Sequence, residues 1–470
     1  MLGGLRPLFE SRFLRLAAAL AWTAGLAGCE SFHAENISPA KTAAAFDKRS
    51  LANRNLLAFL ETNHVATAGN SWDLGTLTLV AFYYHPALAE ARAQWAVAKA
   101  GLITAGERPN PSISVTPGYD SGIPGNPSPW LVTVTPNWPI ETAGKRSKRM
   151  ARAEHLAEVA RWNLVGAMWQ VRSGVRAALL NLEAARETES MLASGTLAQS
   201  NVVRILESQR SAGSISGYEV TQARVALDTA RLSWQEALGQ YRQARAQMAA
   251  ALGVPLRAQE GVEFSFRGLD EFPPELTQSR AQEQALLNRS DVRGALADYA
   301  ASQSALQLEI ANQYPDLQLG PGYAWNAGSA GDNEWNLGLT LTLPILNQNQ
   351  GPIAEAKARR AQAAAHFLAV QAGAISETSI AWTAYTEALR QSATAKFLLE
   401  NLRRRLNAVQ AQVQAGEADR LSVADAEVEY FTGTQNELRG RIKAREALSQ
   451  LENALQSPLT LAPVSLPATQ

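Results

Sequence analysis

Apolar residues recur along this chain with two different periods, and the periods mark two kinds of element. In four places the period is two. Ile113, Val115, Pro117 and Tyr119 alternate with Ser112, Ser114, Thr116 and Gly118. Trp130, Val132, Val134, Pro136 and Trp138 alternate with Leu131, Thr133, Thr135 and Asn137. Farther on, Leu317, Leu319, Pro321, Tyr323 and Trp325 form a third run, and Trp335, Leu337, Leu339, Leu341 and Leu343 a fourth, with Gln318, Gly320, Asn336, Thr340 and Thr342 among the residues between them. Alternation predicts strands with one apolar face and one polar or small face, because successive side chains point to opposite sides. Each run spans roughly 9–11 residues, the length a tilted strand needs to cross a bilayer. Gly-, Pro-, Asn- and Ser-rich stretches at Asp120–Pro129 and Asn326–Glu334 predict turns that fold the runs into two hairpins. Tyr119, Trp130, Trp138, Tyr323, Trp325 and Trp335 fall near the run ends, where an aromatic girdle at a membrane interface would lie. A half-buried hairpin of a water-soluble protein shows the same alternation, so the pattern alone leaves both readings open.

Elsewhere the period is helical. Between Gly144 and Gln209 there is no proline, and Leu164, Met168, Val171, Val175, Ala178, Leu182 and Ala185 follow one another in alternating steps of four and three. That is a heptad seam, and a helix of this length reaches about 100 Å at about 1.5 Å per residue. A turn at Ser211–Gly217 leads to a returning seam of Leu227, Ala230, Trp234, Ala237, Tyr241, Ala244, Met248 and Ala251. The pattern repeats from Gln350 to Gln414, through a turn at Ala415-Gly416-Glu417, and back along Val428, Phe431, Leu438, Ile442, Leu448 and Leu451. Two long antiparallel helical hairpins are predicted.

These elements fall in one order, twice. His85–Tyr119 reads HPALAEARAQWAVAKAGLITAGERPNPSISVTPGY, and Ser290–Tyr323 reads SDVRGALADYAASQSALQLEIANQYPDLQLGPGY. Trp130 opens WLVTVTPNWPI and Trp335 opens WNLGLTLTLPI. A period this long is no short solenoid repeat; it is a duplicated module of helix, two strands and two long helices. The expected segments are a leader over 1–28, a linker with short helices over 29–72, a first repeat over 73–253 with Asp73 as N-cap, a joining segment over 254–278 packed at the waist of the helical part, a second repeat over 279–458, and a loose tail over 459–470.

Charge and composition narrow the reading. Lys and Arg number 43 against 43 Asp and Glu, so no basic footprint for nucleic acid is present. The five histidines are scattered, and no H-E-x-x-H, cysteine cluster, P-loop or G-x-S-x-G setting occurs, so neither a catalytic constellation nor a metal or cofactor site is indicated. No run of about 18 apolar residues predicts a membrane-spanning helix after the leader. The lone cysteine excludes an intrachain disulfide framework, and its position is informative. Arg12 and Arg15 precede the apolar run Leu16–Trp22, and Leu26-Ala27-Gly28-Cys29 follows. This is a secretory leader ending in a lipobox like that of bacterial lipoproteins, so Cys29 is the expected lipidation site. Glu30 after it, rather than Asp, suits an outer-membrane address.

Four strands cannot close a barrel, and open strand edges are not tolerated in lipid because each unpaired backbone group costs several kcal/mol there. The strands must be pooled with those of other copies. With its repeated opening, its PSISVTPGY and PDLQLGPGY strands, its two W…P-I strands and its paired Ala-Gly turns, the chain resembles the TolC family of outer-membrane efflux ducts, over about residues 73–458. The lipidated branch that exports metals and drugs is the most similar. The resemblance implies an α+β membrane protein built from two tandem repeats. It would form a homotrimer whose twelve-stranded β-barrel, four strands from each chain, sits in outer-membrane lipid and continues into a periplasmic α-helical barrel of coiled-coil hairpins. It also implies two protein partners: a periplasmic adaptor and an inner-membrane pump of the RND type, which supply energy and select the cargo.

The resemblance carries residues as well. Family gates use acids just past the tip glycines. Glu219 and Asp425 match, Ser422 stands where a further acid is expected, Val413 and Ala418 replace the family's tyrosine and arginine, and Asp419 with Arg420 offers a different closing pair. Gly213-Ser214-Ile215 and Gly416-Glu417-Ala418 match the adaptor-docking tips. As plain residues, the acids are also what helix starts favour, and the glycines are what sharp turns need. The basic run Lys145, Arg146, Lys148, Arg149 and Arg152, echoed by Lys357, Arg359 and Arg360, is expected either as a solvated helix face or beside anionic headgroups below the barrel. The competing reading is a periplasmic coiled-coil scaffold or adaptor lipoprotein without a pore, which accounts for the hairpins and not for the four alternating runs. An envelope enzyme on a helical frame would need a site that the sequence lacks.

Overall fold

Secondary structure follows the two periods closely. The computed structural model describes residues 30–63, 71–119, 130–269, 276–326, 334–417 and 420–459, without the side chains of Ser71, Arg420 and Leu421. The chain divides into two units, Met1–Arg49 and Ser50–Gln470. The described part of the first unit holds helix α1 (Pro39–Asp47), with no buried residue. The second begins with α2 (Arg54–Thr62), followed by the short strand β1 (Ser71–Trp72).

The predicted helix after Asp73 is two helices, α3 (Leu74–Tyr84) and α4 (Pro86–Gly106). Asp73 caps the first by accepting the Thr76 N–H at 2.8 Å. The break is at Pro86, which removes a donor, disfavours helical backbone at His85, and then occupies the first position of the new helix. Strands β2 (Ser112–Tyr119) and β3 (Trp130–Ile140) follow, then the long helix α5 (Lys145–Ser211) and its return α6 (Gly217–Leu252). After a short 3-10 turn, β4 (Glu263–Phe264) pairs in parallel with β1. The second repeat comprises α7 (Gln278–Asn288), α8 (Ser290–Ala311), β5 (Leu317–Asn326), β6 (Glu334–Leu341), α9 (Gln350–Gln414) and α10 (Arg420–Leu455).

The heptad residues of α5 do what their spacing predicts: Leu164, Met168, Val171, Val175, Leu182 and Ala185 are buried, with Ala178 packed against them. They face α3 and the returning residues Ala244, Met248 and Leu252 of α6. A second core joins Ala281 and Ala285 of α7 to Tyr385 of α9 and to Ala444, Leu448 and Leu451 of α10. Of the expected seam of α10, Leu438, Leu448 and Leu451 are buried and Phe431 and Ile442 half-buried, whereas Val428 is exposed and Ala426, two residues before it, is buried. Joining residues Val254 and Leu269 are buried in the first core, beside the middle of α5.

Glycine is required at Gly253, the C-cap of α6. Its φ is +71°, and an added Cβ would lie 3.1 Å from the Tyr84 carbonyl oxygen. In the second repeat Gln456 takes the corresponding left-handed position, φ +47°, and its amide oxygen accepts the Ser290 N–H at 2.8 Å. The repeats share a backbone corner and cap it with different chemistry.

Candidate functional site

The four strands form one antiparallel sheet in the order β2-β3-β5-β6. Their register sorts the alternation into two continuous faces. Val115 lies opposite Val134, Val134 opposite Tyr323, and Tyr323 opposite Trp335. The same apolar face carries Ile113, Val132, Ile140, Leu317, Leu319, Leu337, Leu339 and Leu341. The other carries Ser114, Thr116, Thr133, Thr135, Asn137, Gln318, Gly320, Gly322, Asn336 and Thr340. Leu343, expected in the fourth run, lies beyond the end of β6, and the strands span 8 to 11 residues. The apolar face is bare: Ile113 is 71 % exposed and Leu337 70 %. Among the described residues no core covers it, so its natural neighbour is lipid.

The aromatics take up two levels on this face. Tyr119 stacks edge-on against Trp130 with ring centres 5.2 Å apart, and Tyr323 meets Trp335 at 4.7 Å. With Trp325 these stand at the turn end of the sheet, while Trp138 stands toward the helix end, opposite Leu319. Eight residues of strand from Trp130 to Trp138 span about 26 Å at about 3.3 Å each, close to the height of an outer-membrane apolar band. Apart from Leu131 and Pro139, the polar face is lined with hydroxyl, amide and small residues: Asn137 donates to Gln318 at 3.1 Å, and an added Cβ at Gly322 would collide with Asn336. Strands β2 and β6 each have one edge unpaired among the described residues.

Below the sheet, the junction with the long helices is built from the basic run, and neither expectation for it holds for the whole run. Lys145 is buried and bonds Asp316 at 2.7 Å. Arg146 donates to the Gly106 carbonyl at 2.6 Å, and Arg149 to those of Ala105 and Glu107 at 2.9 Å, while also pairing with Glu141 at 2.6 Å. Two of the five cations, Arg146 and Arg149, therefore close the C-terminal end of α4, whose last carbonyls lack helical partners, and a third, Lys145, ties the start of α5 to the residue before β5. Lys357, Arg359 and Arg360 are exposed, as a solvated face requires. Partial burial disfavours the Asp316 charge, but the Lys145 ammonium and the Thr142 N–H outweigh it and hold the carboxyl below its ordinary range. Asn349, at φ +62°, opens α9 and donates to the Glu309 carbonyl at 2.8 Å. Sequence reasoning missed this corner. Its only signals were Gly144 and Asn349, residue types that tolerate left-handed backbone, just before each long helix.

At the other end the two tips are copies of each other. Gly213 and Gly416 have φ of +76° and +77°. In the first tip the Ser214 N–H reaches the Gln209 carbonyl at 3.0 Å and that of Gly213 reaches Arg210 at 2.9 Å. In the second, Glu417 reaches Gln412 at 2.9 Å and Gly416 reaches Val413 at 3.1 Å. This is the Schellman ending of a helix. Ser214 and Glu417 are exposed and Ile215 is half-buried. Glu219 is exposed and completes a capping box, accepting the Ser216 N–H at 2.8 Å. Asp425 is exposed on α10. Cys29, Ala418 and Asp419 lie outside the described residues, as does the Arg420 side chain.

Between the hairpins runs a feature the sequence reading did not find. Glu452 accepts from Arg176 at 2.9 Å and Arg172 at 3.3 Å, Glu183 from Arg445 at 2.7 Å, and Glu187 from Arg441 at 2.6 Å. These join α5 of the first repeat to α10 of the second. Burial pulls the Arg176 guanidinium below its ordinary range, against the opposing pull of Glu452.

The family model described as "Outer membrane efflux protein" matches residues 82–254 and 281–456, one match to each repeat. Among characterised relatives, the cobalt-zinc-cadmium resistance protein CzcC of Cupriavidus metallidurans is 27% identical over 64% of this chain and 71% of its own length. The pyoverdine export outer membrane protein OpmQ of Pseudomonas aeruginosa is 28% identical over 38% of each chain. The crystal structure of the outer membrane protein VceC from Vibrio cholerae superposes with a TM-score of 0.66 at 18% identity, covering 82% of this chain and 96% of that one. With its bare apolar sheet face, its paired helical hairpins and a family match to both repeats, the chain belongs to the outer membrane efflux protein family and is an outer-membrane efflux channel of the TolC type.

Proposed function

We propose that three copies of this chain form the exit duct of a tripartite efflux system, anchored in the outer membrane by acyl chains on Cys29 as well as by its strands. The observation that carries this reading is the four-stranded sheet with one lipid-compatible face and two open edges. Open edges in lipid must pair. Edge β6 of one copy meets edge β2 of the next, and three copies give twelve strands, within the range of closed outer-membrane barrels. The polar faces then line the pore, and the hairpins continue it into the periplasm. There the paired tips around Gly213 and Gly416 dock a periplasmic adaptor, and an RND-type inner-membrane pump supplies the energy. Glu219 and Asp425, each exposed just past a tip glycine, form the acidic constriction of the periplasmic gate, with Asp419 and Arg420 as its closing pair. The cargo is small molecules or metal ions. Similarity to a cobalt-zinc-cadmium resistance protein favours metal cations.

Native mass spectrometry of the full-length protein from outer membranes tests assembly and anchor together. The expected particle is three chains, each beginning at Cys29 and heavier than its sequence by its acyl groups. A stable monomer or dimer would refute the assembly, and mature chains without acyl mass would refute the anchor.

A further inference from the structure

The sheet is almost free of charge, and its one exception is placed where it can act. Across β2, β3, β5 and β6 the only Asp, Glu, Lys, Arg or His is Glu334, the first residue of β6. The register fixes its face. Glu334 lies opposite Ala324, Ala324 opposite Thr133, and Thr133 opposite Thr116. That row belongs to the polar face, one residue beyond the Tyr323–Trp335 pair that marks the aromatic level. The carboxylate is exposed. A charge in the apolar band would be costly; at the interfacial level, on the side away from lipid, it is not.

No cation in the sheet can answer it. Its row consists of two threonines and an alanine. The strand that pairs with the open edge of β6 in the next copy is β2, whose polar face is Ser112, Ser114, Thr116 and Gly118, so no pairing register brings a positive charge to it. The two segments joining the strands, 120–129 and 327–333, contain no lysine, arginine or histidine; their charged residues, Asp120 and Asp332, have the same sign as Glu334, which is the one acid that the strand register assigns to the polar face. We propose that Glu334 is the charge-selecting residue of the outer mouth: three copies form a carboxylate ring where the barrel opens to the outside, favouring the exit of cations and opposing the entry of anions. This rests on the trimeric duct reading. It assigns cation preference to a second position, at the opposite end of the molecule from Glu219 and Asp425.

Full-length protein in planar bilayers tests it. Protein is added to one chamber only; the long helical hairpins cannot cross lipid, so the turn end of the barrel emerges in the other chamber. Under a KCl gradient the parent should prefer potassium. Glu334→Gln should lower the K+/Cl− permeability ratio about twofold or more, and Glu334→Lys should move it farther the same way. Lanthanum added on the turn side should block the parent, with a half-blocking concentration raised about tenfold in Glu334→Gln; added on the hairpin side it should block both equally. The preference should fade in 1 M salt, where screening shortens from about 10 Å at 0.1 M to about 3 Å. Pores that conduct with unchanged selectivity and unchanged turn-side block in both variants overturn the role of Glu334 and leave the duct intact. Absence of conductance from parent and variants alike overturns the duct reading, and this proposal with it.

Discussion

At the scale of single residues, several side chains serve the local backbone first. Glu219 illustrates this. Its carboxylate accepts the Ser216 N–H at 2.8 Å and Ser216 returns the bond to the Glu219 N–H at 3.4 Å, a reciprocal cap that any helix start could use. A role in the gate must come from its charge, over and above the cap. The two are separable, because glutamine at this position keeps the capping box and loses only the charge. The variant Glu219→Gln with Asp425→Asn should therefore keep its helices and its trimer while losing cation preference and hairpin-side block by multivalent cations. Single-channel recording that finds both unchanged would leave Glu219 as a cap and nothing more. The sequence displayed the Ser216–Glu219 spacing openly. It could not display that Arg146 and Arg149 turn inward to the carbonyls at the end of α4 and Lys145 to the Asp316 carboxylate, since those partners are set by how the elements pack against α5 and not by neighbours along the chain.

At the scale of elements, what was legible is what is periodic. The heptads of α5 gave both its length and its buried stripe, and the strand alternation gave two faces that the register then joined without a slip. The ion pairs between α5 and α10 were not legible, although their spacing is regular. Arg176, Glu183 and Glu187 meet Glu452, Arg445 and Arg441 in one antiparallel register. The choice of α10 as the neighbour of α5, across the repeat boundary, is a fact of packing that no local pattern records. Arg176 and Glu452 are each 1 % exposed. Removing one partner leaves a buried charge uncompensated, which costs about 3–5 kcal/mol. Glu452→Gln should therefore lower stability by about that much, and Arg172→Met and Arg176→Met combined with Glu452→Leu should recover most of the loss, because an apolar cluster of similar volume leaves neither arginine behind without its carboxylate. Denaturation followed by tryptophan fluorescence is the measurement. A single variant as stable as the parent would mean that water reaches this pair and the seam is not buried.

At the scale of the whole molecule, the assembled duct makes opposite demands on the two faces of one strand. Val134 lies midway between Trp130 and Trp138 on the apolar face, opposite Val115 and Tyr323, while its neighbour Thr133 points to the polar face, opposite Thr116 and Ala324. The two residues are adjacent, equally deep in the sheet, and similar in size. If the apolar face meets lipid and the polar face lines a water-filled pore, lysine at the first position must enter hydrocarbon near the bilayer midplane, at a cost of about 2–4 kcal/mol, whereas lysine at the second remains hydrated. A soluble hairpin would rank them differently, since both faces would meet water or protein and neither would meet lipid. Refolding of the purified chain into lipid vesicles, with the fraction of heat-resistant oligomer as readout, separates the cases. Val134→Lys should reduce assembly strongly and Thr133→Lys only slightly, and the gap between them should narrow in detergent, where the apolar layer deforms around a charge. Equal losses, or a greater loss for Thr133→Lys, would place the polar face against an apolar surface and invert the barrel. In that event the row that carries Glu334 would face outward, and neither mouth of the pore could owe its selectivity to the sheet.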